Sequence, residues 1–260
     1  IGNQQKEIFP WHEKNEQIYY FFLTSCVLED KIYFDQISDE DISIDEKKIS
    51  KYNCFSFEQG KIYKLSVNGL LYQAVFMRGK NIPTFFVETK SGNMKYIHSD
   101  KGNMETGNIT VVDASRHIQY SGKLDEISGR GNSTWLPFKK SYSIKLPEKH
   151  PICGLNSGSK WKLLSLYFEH DKMHSKIIFD MSALAGLNYT PECTWINLYC
   201  NGSYQGLYLL AESVDAHLEE DGCLLEKGIP SQLQEDEVFF ITKKMEYLFK
   251  MKQKSLENVE

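Results

Sequence analysis

The chain has 260 residues, a formal charge of −5 from 30 basic and 35 acidic side chains, and 41% hydrophobic residues, which is enough apolar mass for one large domain or two smaller ones. The longest apolar stretches, near Tyr19 to Leu23 and Gly206 to Ala211, have strand length, far short of the roughly 20 apolar residues of a membrane-spanning helix. Only three arginines occur, Arg78, Arg116 and Arg130, with no basic stripe interleaved with aromatics, so neither a membrane span nor nucleic acid binding is expected.

The first residue is Ile1, which suggests that the gene product starts earlier and makes the absence of a signal peptide uninformative. Six cysteines, at 26, 54, 153, 193, 200 and 223, form no CxxC pair. Scattered thiols are the expectation, with a single disulfide left open.

From Gln17 to Phe76 the pattern is short alternating strands, at Ile18 to Thr24, Lys31 to Phe34, Ile62 to Val67 and Leu71 to Phe76, with turn chemistry at Asn68-Gly69. This predicts a small all-β module over residues 1–80. The acidic stretch Ser38 to Asp45 lacks the fixed glycine and terminal glutamate of a calcium loop and reads as a solvated loop. After the linker-like Arg78 to Asn81, strands are expected at Thr84 to Glu88, Ile109 to Asp113 and His117 to Ser121, leading to the turn Gly129-Arg-Gly-Asn-Ser-Thr-Trp135. In the following strand, Ser141 to Leu146, Tyr142, Ile144 and Leu146 share one face, which turns Lys145 to the other. The one long helix runs from about Asp171 to Ala185, with Met173, Ile177, Ile178, Met181 and Leu184 at helical spacing and Gly186 as its stop. A hairpin at Thr194 to Cys200, Asn201-Gly202 and Tyr204 to Leu210 follows, then strands near Gly222 to Glu226, Val238 to Thr242 and Tyr247 to Met251. The order predicts an α+β fold, a β-sandwich-like module followed by a second domain over residues 81–260.

Several motifs fail on spacing. Gly154-Leu-Asn-Ser-Gly158-Ser-Lys160 departs from the P-loop and reads as a surface loop. His170 and His174 are four apart, as in some zinc sites, but Glu169 is misplaced for HExxH, and ordinary helix-start polar residues are the better account. No nucleophilic triad is recognisable, and the sequons at Asn108, Asn132, Asn188 and Asn201 matter only in a glycosylating host. The glycine-rich turn is more informative. Gly129 and Gly131 around Arg130 could let backbone amides approach an anion, with a lysine on the next strand as a point charge; a tight turn closed by Trp135 is the alternative.

Four strings in order, Gly129-Arg-Gly-Asn-Ser-Thr-Trp135, Lys139-Lys-Ser-Tyr-Ser-Ile-Lys-Leu146, Lys160-Trp-Lys-Leu-Leu164 and Leu198-Tyr-Cys-Asn-Gly-Ser-Tyr-Gln-Gly-Leu-Tyr-Leu-Leu-Ala-Glu212, resemble the CotH family of atypical protein kinases, named for a spore coat protein. The resemblance covers about Ile82 to the C-terminus, and the preceding β module resembles the Ig-like domains that can precede CotH domains in surface proteins. It implies a kinase-like N-lobe, an antiparallel sheet with one main helix, with the catalytic lobe largely absent. It implies ATP and Mg²⁺ as cofactors, a secreted or coat protein as acceptor, and an extracellular, cell-surface or spore-coat location.

On this resemblance Lys145 is the strand lysine that holds nucleotide phosphates, Asp180 the helix carboxylate that pairs with it, and Glu212 the residue leading into the hinge beside adenine. Gly129, Arg130, Gly131 and Asn132 serve the phosphate side. The family's Arg-Asn pair at the helix start is His174-Ser175 here. Asp215, Asp221 and Asp236 sit in no convincing catalytic or metal loop, so the catalytic acids are expected beyond Glu260 and this chain alone is expected to be inactive. The alternative is a noncatalytic surface or coat protein that keeps the lobe as a scaffold, since fold does not fix function.

Overall fold

The structure, a computed structural model, describes residues 8–12, 16–24, 31–33, 41–49, 54–187, 190–213, 224–227, 239–241 and 248–252. Asp215, Asp221 and Asp236 lie outside the described residues. Among the described residues strand accounts for 54% and helix for 10%, which replaces the expected α+β class and kinase-like N-lobe with a mostly β protein.

The N-terminal strands are β1 (Trp11–His12), β2 (Ile18–Leu23), β3 (Lys31–Tyr33), β4 (Ile42–Ile44), β5 (Lys47–Lys48), β6 (Cys54–Ser56), β7 (Ile62–Val67) and β8 (Leu70–Arg78). Six of them form a mixed sheet in the order β1-β2-β8-β7-β4-β5, with β2 parallel to β8, while β3 pairs with β6. Alternation sets the core: Tyr63 and Leu65 on β7 and Ala74 and Phe76 on β8 are buried with Ile44, Ile49 and Phe57. The β7–β8 hairpin turns at Asn68-Gly69, both at positive φ (51° and 82°), as the sequence predicts. Part of the acidic stretch expected to be a loop, Ile42–Ile44, is strand.

The remaining main elements are β9 (Thr84–Thr89), α1 (Lys95–Ser99), β10 (Met104–Val112), β11 (Ile118–Arg130), β12 (Ser141–Pro151), β13 (Ser157–Leu164), α2 (His174–Leu184), β14 (Cys193–Cys200) and β15 (Ser203–Glu212). Seven of these strands close into a barrel, β10-β11-β12-β13-β15-β14-β9, in which the parallel pair β14 and β9 completes the ring. This closure is what the kinase-lobe expectation lacked. The segment ending at Lys160, expected to be a surface loop, supplies the start of β13. A separate three-stranded sheet is formed by β16 (Leu224–Lys227), β17 (Phe239–Ile241) and β18 (Leu248–Lys252), in the order β16-β18-β17.

The barrel interior is filled by side chains at every second position: Ile127 on β11, Tyr142, Ile144 and Leu146 on β12, Trp161 and Leu163 on β13, Ile196 and Leu198 on β14, and Tyr208 and Leu210 on β15 are all buried. The mixed sheet meets the barrel through Tyr199 Oη, which donates to the Phe22 carbonyl at 2.6 Å, and through the ring pair Phe22 and Tyr204 at 4.9 Å. Helix α2 is the expected one, one to three residues shorter at each end. Its apolar residues Met173, Ile177, Ile178, Met181 and Leu184 are all exposed.

Candidate functional site

The register of β11, β12 and β13 decides which polar side chains meet. Arg130 lies opposite Ser141, Ser128 opposite Ser143 and Glu126 opposite Lys145; across the next seam Ser143 faces Lys162 and Lys145 faces Lys160. Directly opposed residues project to the same side, and this side is the outside of the barrel because the intervening Ile127, Tyr142, Ile144, Trp161 and Leu163 point in. A shift in the β10–β11 register, Glu105 to Ile127 and then Gly107 to Leu124, leaves an extra residue on β11, so that Leu124 and Ile127 both point in while Glu126 stays out.

The outer face therefore carries Arg130, Lys145, Lys160 and Lys162 against the carboxylate of Glu126, which accepts a hydrogen bond from Ser128 Oγ at 2.9 Å. Lys162 Nζ donates to Ser143 Oγ at 3.3 Å. Among the described residues, Arg130, Lys145 and Lys160 make no side-chain hydrogen bond or ion pair. Burial holds the Arg130 guanidinium below its ordinary pKa, because taking it from water disfavours the charged form. Lys145 and Arg130 share this face, four positions apart along β12, a separation of about 13 Å. Lys162, which sequence reasoning passed over, fills the gap between them. Its signal is the alternation in Lys160-Trp-Lys162, where an inward Trp161 turns both lysines out.

The glycine-rich turn is packed around Trp135. A Cβ on Gly129 would lie 2.5 Å from two indole atoms, and one on Gly131, at φ 89°, would collide with Thr134 Oγ1. Lys140 holds the indole from above, with Nζ 2.6 Å from the Trp135 carbonyl and 4.7 Å from the ring centre. Asn132 Oδ1 accepts from Lys101 Nζ at 2.9 Å. The other two expected residues stand elsewhere. Asp180 is exposed on α2 and pairs with Lys176 of the same helix at 2.5 Å. Glu212 is buried at the end of β15, opposite Trp161, and accepts a hydrogen bond from the Glu192 backbone amide at 3.1 Å.

At the barrel mouth, Lys139 Nζ donates to the Leu207 carbonyl at 2.5 Å and sits 4.5 Å from the centre of the Tyr208 ring. Desolvation, helped by the charge of Lys172, lowers its pKa to about 8. Tyr208 Oη donates to the Lys140 carbonyl at 2.8 Å, and Tyr142 Oη lies 2.7 Å from His98 Nε2. Burial raises both tyrosines well above their ordinary range, so both stay protonated. At the start of α2, Glu169, Asp171 and His174, but not His170, bring ligand atoms within 4.8 Å of one another. The two carboxylates already serve the helix start: Glu169 accepts from the Ser175 amide and hydroxyl, and Asp171 from the Met173 amide at 2.9 Å.

Cationic side chains gathered on one face can hold a multiply charged anion. One carboxylate, Glu126, does not make a magnesium site there. A search of curated proteins returns no match. The family model described as CotH kinase protein matches residues 127–257, half of the chain, beginning on β11 and taking in the turn, β12, β13, α2 and the β14–β15 hairpin. The chain belongs to the CotH family.

Proposed function

We propose that this chain supplies the nucleotide-holding part of a CotH-type kinase that transfers a phosphoryl group from ATP to a secreted or coat protein, with the polyphosphate lying on the outer face of β11, β12 and β13. The observation that carries this reading is the set Arg130, Lys145, Lys160 and Lys162 on one face of the sheet, with Arg130 partly desolvated and unpaired among the described residues. ATP supplies the phosphoryl group; the residues here bind and orient it and offset its charge. Arg130 offers a planar fork suited to two phosphate oxygens, while Lys145 and Lys162 act as point charges. Family membership favours a spore-coat or surface setting. Residues 1–80 would then be a separate β module carried alongside.

The second reading, a noncatalytic scaffold, is favoured by the turn itself, where the Trp135 ring and Thr134 account for both glycines without a ligand. Calorimetry of ATP binding to the chain separates the two. Arg130→Ala and Lys162→Ala are each expected to weaken ATP binding by roughly tenfold, the loss of one charge-assisted contact, and Lys145→Ala by less. No measurable ATP binding, or affinity unchanged in all three variants, leaves the scaffold.

A further inference from the structure

Helix α2 lies with its more polar side toward the barrel. The residues turned that way, half-buried near β14, are Ser175, Lys176, Phe179 and Ser182. On the opposite side Met173, Ile177, Met181 and Leu184 recur at four- and three-residue steps with Ile178 beside them, and all five face solvent, Ile178 at 61%, Met181 at 64% and Leu184 at 88% exposure. No residue of the helix is buried.

Both ends of the helix are fixed locally. Asp171 and Glu169 accept from the Met173 and Ser175 amides at its start, and at its end the Gly186 and Leu187 amides return to the Ala183 and Ser182 carbonyls, each at 3.0 Å, with Gly186 at φ 69°. Such caps decide where an 11-residue helix begins and stops, but a helix this short is marginal in water unless an apolar face is packed. The apolar face here still has to be covered. It continues past the helix start, because Lys172 Nζ donates to the Tyr167 carbonyl at 3.0 Å and Tyr167 meets the ring of Phe168 at 5.5 Å, both aromatics being exposed. Together the seven side chains offer on the order of 900 Å², above the roughly 300–600 Å² of the largest patch on a typical monomer and close to the about 800 Å² per partner of a standard interface.

Charge decides the occupant. The stripe carries no carboxylate and no lysine; at its rim Lys176 and Asp180 pair with each other at 2.5 Å, and Lys172 spends its ammonium on the Tyr167 and Glu169 carbonyls. A patch with its rim charges already matched offers little to an anionic lipid surface or a charged partner and suits an identical patch. Two copies crossing antiparallel set the Met173 end of one helix against the Leu184 end of the other, oppose the helix dipoles, and repeat every contact twice.

We propose that α2 is the contact of a homodimer, packed antiparallel against α2 of a second copy of this chain about a two-fold axis near Ile178. The dimer stands independently of the ATP reading.

Sedimentation velocity on the full chain from about 1 to about 100 µM tests it. The 30.2 kDa species should give way to one of twice that mass, with half-association in roughly the micromolar range, the weak end for an interface of this size. Ile178→Glu and Met181→Glu replace exposed side chains, so the fold should tolerate both, and each should weaken association roughly a hundredfold. Leu71→Glu, at an exposed apolar position of the N-terminal sheet, should leave association unchanged. Ile178→Cys should give a disulfide-linked dimer on oxidation, because its two copies meet at the axis; this readout serves even if a glutamate variant folds poorly. A chain that stays at 30.2 kDa throughout, a dimer indifferent to both glutamate variants, or a dimer that Ile178→Cys does not cross-link overturns the proposal. So does a monomer that cosediments with phosphatidylserine vesicles through this face, which would assign it to lipid.

Discussion

Gly129→Ala tests whether the glycine-rich turn is built for packing. The added methyl would sit 2.5 Å from the Cη2 and Cζ3 atoms of Trp135 and 3.0 Å from Cζ2. Carbon atoms pack best at about 3.5–4.0 Å, so the indole must retreat by about 1 Å. It is held against the barrel core and under the Lys140 ammonium. Gly129 is not at positive φ, so alanine brings no backbone strain of its own. Overpacking of this kind costs roughly 1–3 kcal/mol, and alanine recovers about 0.4–1 kcal/mol by restricting the unfolded chain. The expected net loss is about 1–2 kcal/mol, measured as a lower urea midpoint at constant slope. In a Trp135→Ala background the obstacle is gone, and Gly129→Ala should be neutral or slightly stabilising, a coupling close to the whole single-mutant effect. Equal costs in both backgrounds would refute the steric account. If the double variant also kept full ATP affinity, Gly129 would have no part in anion binding.

Three further outcomes follow from particular side chains. Lys139 has a folded pKa of about 8 against 10.5 when unfolded, so between those values the unfolded chain holds more protons; this group makes stability rise with pH from about 8 toward 10, and urea midpoints should lose that rise in Lys139→Met. Asn201 holds φ 49° at the hairpin turn, and its side chain accepts from the Thr89 amide at 2.9 Å and donates to Thr89 Oγ1 at 3.0 Å. Asn201→Ala should therefore cost about 2–4 kcal/mol, and in a glycosylating host mass spectrometry should find exposed Asn108 modified before Asn201. Burial raises the thiols of Cys153 and Cys200 to about 12 and that of Cys193 to about 11; all three should resist a thiol reagent at pH 8 until the chain is unfolded, and rapid labelling of the native protein would contradict their burial.

Local structure was readable where two periodicities agreed with turn chemistry. Tyr142, Ile144 and Leu146 alternate with Ser141, Ser143 and Lys145, and the strand faces follow. Asn68-Gly69 and Asn201-Gly202 both mark hairpins. The helix showed its 3.6-residue spacing, but spacing alone does not say whether a stripe is covered, and Ile178 and Met181 are exposed. The barrel was hidden because its closure rests on long-range pairing: Thr84 to Val87 lie beside Asn197 to Cys200 in parallel, and no local pattern specifies that partner. Lys162 could have been read from its alternation with Trp161, whereas Lys139 could not, since two adjacent lysines give no hint that one bends under β15 and the other covers an indole.

Closure also decides where a ligand can go. In a kinase-like open sheet one face could serve as a cleft, and Lys145, Asp180 and Glu212 were expected to converge there. In the barrel the inner face is occupied by Tyr142, Trp161, Tyr208 and Leu210, each nearly inaccessible to solvent, and Glu212 points to that packed side while Lys145 points away from it. The packed inner face leaves no room there for a ligand of the size proposed above. On the outer face the cations Arg130, Lys145, Lys160 and Lys162 share one side of the sheet with Glu126. Charge placed outside a filled barrel remains hydrated until a ligand or a second surface covers it, so each lysine there should contribute modestly to affinity and strongly to its salt dependence. Arg130, already partly dehydrated by the fold, should dominate what remains at high salt.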